Sequence, residues 1–131
     1  MQEEIIRPQL TGATPETMAH TMADILWEKQ AIQTELYHVE GITVIADYYL
    51  ICSGRSSTHV KALADELIYE MELRGITDAR VEGRDGAAWV LVDFGHVIVH
   101  IFDRASREYY HLEHLLGQEH QIPLNLEDRA D

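Results

Sequence analysis

The stretch AWVLVDFGHVIVHIF, residues 88–102, constrains the fold more than any other, because two strand-like runs meet there at a two-residue turn. Gly95 and His96 stand between the runs, and glycine in the first central position suits a type II′ hairpin turn. Phe94 then faces Val97. The register runs outward as Asp93 with Ile98, Val92 with Val99, Leu91 with His100, Val90 with Ile101 and Trp89 with Phe102. One face collects Ala88, Val90, Val92, Phe94, Val97, Val99 and Ile101, wholly apolar and in need of a helical cover. The other collects Trp89, Leu91, Asp93, Ile98, His100 and Phe102. That mixture reads either as a layer packed under a loop, with Asp93 and His100 at a solvated rim, or as a site.

A chain of 131 residues suits one domain with its own core. No apolar run reaches membrane-spanning length, and MQEEIIRPQL has neither a basic start nor an apolar signal core, so a cytoplasmic protein with no membrane association is expected. The single cysteine, Cys52, suits a reducing compartment. A formal charge of −13 argues against direct binding of nucleic acid, which needs a concentrated positive surface. It favours either a basic partner or plain solubility.

Residues 1–13 lack a period and contain Pro8 and Gly12, so a flexible leader is expected. Thr14 and Pro15 read as cap and first residue of a helix over residues 15–28, with Met18, Met22, Ile25 and Leu26 on its apolar face. A strand is expected over residues 32–39. A second, over 47–52, lacks alternation and so belongs at the centre of a sheet, with Cys52 buried and inert. After the turn Gly54, Arg55, Ser56, Ser57 comes a second helix, with Val60, Leu63, Ala64, Leu67, Ile68 and Met71 inward. A short strand over 79–82 precedes the hairpin, a polar turn over 103–108 follows it, and residues 109–116 close the domain. Residues 118–131 read as a mobile acidic tail. The order predicts an α+β fold, a mixed, partly antiparallel sheet of about five strands with helices packed on it, in a single domain over residues 14–117.

Four chemistries bear on these residues. The Gly54 to Ser57 turn could present backbone N–H groups to a phosphate, but it lacks the glycines and the Lys of a phosphate loop, and a helix cap is the simpler role. His96 and His100 lie roughly 13 Å apart along the strand, too far to share a metal ion. His111 and His114 are better spaced but lack a third ligand. Nucleotidyl transfer needs paired acids on one strand face, whereas Asp93 and Asp103 lie on different strands. A protein-binding face around Trp89 requires nothing that is missing. Self-association through Trp89 and Phe102 into a two-fold homodimer would use the same face.

The blocks ADYYLICSGRSSTHVKALADEL, VEG, WVLVDFGHVIVHIF and SREYYHLEHLL, in this order and spacing, resemble the ribosomal silencing factor family, also called Iojap-like. The resemblance implies a nucleotidyltransferase-like fold without the catalytic acids, no enzymatic activity and no cofactor. It also implies binding to the large ribosomal subunit through the ribosomal protein called L-fourteen, which blocks joining of the small subunit and slows translation when nutrients are scarce. Carried over by position, Trp89, Asp93, His100, Tyr110 and Glu113 form the binding face. Asp47, Tyr48, Gly54 and Gly95 are structural. His96 stands where the family usually has an acid, which removes a charge facing a basic partner. Leu116 stands where an aromatic is common. The match leaves out the tail from Gln118.

Overall fold

The computed structural model describes residues 7–126. Helix α1, Pro15–Glu28, starts where Thr14 Oγ1 accepts the Thr17 N–H at 3.2 Å, with Pro15 in the first turn, where a missing N–H costs nothing. Strand β1, Ile32–His38, pairs antiparallel with β2, Tyr48–Gly54. Helix α2, Ser57–Leu73, is capped by Ser56 and buries Val60, Leu63, Ala64, Leu67 and Met71. Then come β3, Arg80–Glu82, β4, Trp89–Asp93, and β5, Val97–Asp103.

The sheet order is β3-β4-β5-β2-β1-β6, where β6 is Gln121–Ile122. The hairpin register is the one read from the pattern, all five pairs included, and Phe94 N donates to Val97 O at 2.9 Å across the turn. Gly95 sits at φ +91°, a region that side chains avoid, which is why the turn needs glycine there. In the centre, β2 and β5 run parallel over seven residue pairs. The sheet is therefore mixed. Among the described residues six strands are present, one more than expected.

The two sheet faces are both packed. Helices α1 and α2 cover one, where Leu36, Leu50, Cys52, Val90, Val92, Val99 and Ile101 are fully buried. The other holds a smaller core of Tyr37, Val39, Ala46, Tyr49, Ile51, Ile98, Phe102 and Leu116. Over it lie α3, Arg104–Tyr110, and α4, Leu112–Leu116. The chain thus leaves β2 toward one face and β5 toward the other.

Several expectations need correction. Residues 103–108 form no polar turn: Asp103 accepts the Ser106 N–H at 2.7 Å and caps α3, a side-chain cap that the run of polar residues concealed. Ala88 is exposed, and Ala87, at φ +55°, takes the buried place. Residues 7–13 do not behave as a flexible leader, since Leu10 is buried and its N–H donates to Arg74 O at 2.9 Å, while Arg7 pairs with Glu70. In the segment read as a mobile tail, residues 118–120 make a 3-10 turn, β6 pairs with β1, and Ile122, Leu124 and Leu126 alternate onto the main core. Pro123 and the acids mask that alternation in the sequence. Residues 1–6 and 127–131, the rest of both expected tails, lie outside the described residues.

Candidate functional site

Strand β4 carries Trp89, Leu91 and Asp93 on its second face, all half-buried, opposite Phe102, His100 and Ile98 of β5. The Trp89 ring lies 4.8 Å from Phe102 and 4.7 Å from Tyr110, so the indole is gripped between β5 and α3. Tyr110 is itself about half exposed and Tyr109 stands almost free at 82 %. The result is an aromatic surface fixed from beneath. Aromatic anchors of this kind give a partner large contact area at low entropic cost.

His100, expected on the binding face, lies below that surface and is only 4 % exposed. Trp89 Nε1 donates to His100 Nδ1 at 3.1 Å, which puts the imidazole proton on Nε2. That Nε2 is buried with no partner among the described residues, and Tyr49 packs edge-on at 4.5 Å. Burial pushes the His100 pKa down to about 4, so near neutral pH the ring is an uncharged acceptor. A strand pattern gives the face of a residue but not its depth.

Glu113, also expected on the binding face, faces inward onto Arg107. Its Oε2 accepts from Arg107 Nε at 2.9 Å, and its Oε1 is buried without a partner among the described residues. Arg107 is buried too. It donates further to Ser53 Oγ at 3.1 Å, Ile32 O at 3.3 Å and Glu35 Oε1 at 3.3 Å, joining α3, α4, β2 and β1. The sequence reading missed it, since an arginine in a polar run resembles a surface residue; the signal was its place one turn after the Asp103 cap. A cleft of about 870 Å³ opens here, between Ile32, Ser53, Arg107 and His111, and Arg107 and Glu113 in its wall are already paired with each other.

The remaining positions gather at the other end of the sheet. Asp93 Oδ1 accepts the Gly95 N–H at 2.7 Å and so braces the turn, which leaves it a turn residue more than a free charge. His96 is exposed, its Nδ1 3.0 Å from Asp47 Oδ2, and His96 O accepts from Asp47 N and Tyr48 N. Asp47 thus ties β2 to the hairpin, and Tyr48 stacks on His38. Trp89 with Tyr110 and Asp93 with His96 form two groups, separated by roughly 13 Å of strand.

The Gly54 turn is occupied by its own cap. Ser56 Oγ accepts from His59 N, Arg55 N donates to His59 Nδ1, and the Arg55 guanidinium reaches Gln30 O. A Cβ on Gly54 would stand 2.9 Å from Val60 N, so glycine lets the first turn of α2 seat on the strand end. Cys52 is fully buried, and desolvation raises its thiol to about 12, which leaves no thiolate to react. Among the described residues no group of three or more His, Cys, Asp or Glu is placed to hold a metal ion, and no helix is long and apolar enough to cross a membrane.

A six-stranded mixed sheet among the described residues, with helices on both faces and an aromatic surface around Trp89 and Tyr110, defines a small α+β protein. The family model described as "Ribosomal silencing factor during starvation" matches residues 12–131, and the chain belongs to that family. The match includes the segment from Gln118 that the sequence reading left out. The ribosomal silencing factor RsfS of Bacillus subtilis is 44 % identical over 90 residues, 69 % of this chain and 76 % of that protein. Its counterpart in Halalkalibacterium halodurans is 42 % identical over 97 residues, 74 % of this chain and 83 % of that one. Among solved structures, a crystal structure of a Chromobacterium violaceum protein superposes with a TM-score of 0.76 at 27 % identity, covering 84 % of this chain and 90 % of that one.

Proposed function

We propose that this chain is a translational repressor of the cytoplasm that binds the large ribosomal subunit through ribosomal protein L-fourteen and so keeps the small subunit from joining when nutrients are limiting. Membership of a ribosomal silencing factor family supports a ribosome-associated role. The observation that carries the finer reading is the pair of half-buried Trp89 and half-exposed Tyr110, packed ring on ring over a rigid aromatic layer. The net charge of −13 suits a basic ribosomal protein and speeds its encounter. In this reading the protein acts by occupying a surface. It performs no chemistry and needs no cofactor, and the relation to nucleotidyltransferase folds is one of shape.

The contact residues are then Trp89 and Tyr110, with His96 and Asp93 at the far end and His100 and Glu113 acting from below. The test is binding of purified L-fourteen, followed by titration with Trp89→Ala. A folded Trp89→Ala variant should bind at least fivefold more weakly, since a central aromatic anchor contributes on the order of a kcal/mol or more. Equal binding would remove Trp89 from the interface. Binding to whole large subunits without binding to L-fourteen would move the contact to another component.

A further inference from the structure

The loop between β1 and β2 presents an apolar tip that neither core uses. Val44 is 102 % exposed, Ile45 60 % and Ile42 44 %. Three aliphatic side chains in so short a loop are not ordinary surface scatter. The loop is held at its base: Val39 N donates to Asp47 O at 2.7 Å, Ile42 N to Val39 O at 2.9 Å, and Asp47 N to His96 O at 2.8 Å. Its flanking residues Val39 and Ala46 are buried in the second core. The tip is therefore displayed by a fixed frame, with little ordering left to do on binding.

Acids stand around it. Glu40 precedes the tip, Asp47 follows it, and Asp93 braces the neighbouring turn. Because Val39 and Ala46 belong to the second core, against which Trp89 and Leu91 also pack, the tip rises from the same side of the sheet as Trp89. From the tip through Asp47, His96, Asp93 and Leu91 to Trp89, the surface follows the seven residues of β5, a span of roughly 20 Å. A protein interface of ordinary size, about 800 Å² on each partner, covers that distance.

We infer that the Ile42, Val44 and Ile45 tip is a second anchor of the docking face, and that it takes an aliphatic depression on a basic protein surface. This rests on the reading of the chain as a ribosome-binding protein. A second copy of the chain is the wrong occupant, since it would bring Glu40, Asp47 and Asp93 against their own counterparts in a molecule of charge −13. The aliphatic groups supply burial, and the acids select a basic neighbour.

The test compares Val44→Lys, Val44→Ala and Trp89→Ala for binding to purified large ribosomal subunits, with circular dichroism to verify folding. Val44 touches no core, so neither of its variants should disturb the fold. Val44→Lys should weaken binding at least tenfold and Val44→Ala less, while Trp89→Ala weakens it independently. Wild-type affinity in Val44→Lys together with loss in Trp89→Ala overturns this inference and leaves the ribosome-binding reading standing. Absence of binding by the unmodified protein overturns both. Light scattering decides the remaining case: a dimer that Val44→Lys splits, with subunit binding unchanged, makes a second copy the occupant and refutes the proposal.

Discussion

His100 ties the stability of the protein to pH in a way that one substitution isolates. Its imidazole is buried under Trp89, and burial lowers its pKa from 6.5 to about 4. The unfolded chain therefore binds a proton that the folded chain refuses, and stability falls as pH drops below about 6.5, levelling off below about 4. Between about pH 7 and about pH 4.5 this one group should cost on the order of 2 to 3 kcal/mol. Asp65 and Glu70 respond in a lower range. Hydrogen bonding from Arg84 lowers Asp65; for Glu70, burial raises the pKa but the bonds from Arg74 and Arg7 outweigh it. Urea denaturation of wild type and His100→Leu across that window measures the effect. The variant should lose a few kcal/mol less than wild type on acidification; equal losses refute the assignment. His100→Asn adds a second arm, because its amide oxygen can stand where Nδ1 accepts the Trp89 N–H. It should lose the acid sensitivity yet keep ribosome binding, while His100→Leu loses about fivefold in affinity, the value of one hydrogen bond.

Arg107→Ala leaves the Glu113 and Glu35 carboxylates without their cation and should cost about 3 to 5 kcal/mol in urea denaturation. A loss under about 1 kcal/mol would mean water already serves those carboxylates. Ser56→Ala removes the cap of α2 and should cost about 1 kcal/mol without changing affinity for the ribosome. Titration of nucleoside triphosphate with magnesium should release no heat, since Arg55 N and His59 N of the Gly54 turn already donate within the protein; saturable heat would reopen that turn as a ligand site.

The hairpin was legible because period two, a turn glycine and two apolar runs agree, and each restricts the others. The central position of β2 was legible from its lack of alternation. What escaped the sequence depended on distant partners. Residues 121–126 become an edge strand and a core strand-end only because β1 leaves one side open, and local composition argued for a tail. Arg107 looked like any surface arginine until Ser53, Ile32, Glu35 and Glu113 were brought around it from three elements. At the site, the pattern placed Trp89 and His100 on one face correctly. It could not say that one would be the surface and the other its support.

Sedimentation of purified ribosomal subunits in the presence of the protein addresses the central proposal most directly. The protein should travel with the large subunit and reduce the joined fraction in proportion to its concentration, and Trp89→Ala should restore joining. Undiminished joining at saturating protein, with no protein in the large-subunit fraction, would contradict it.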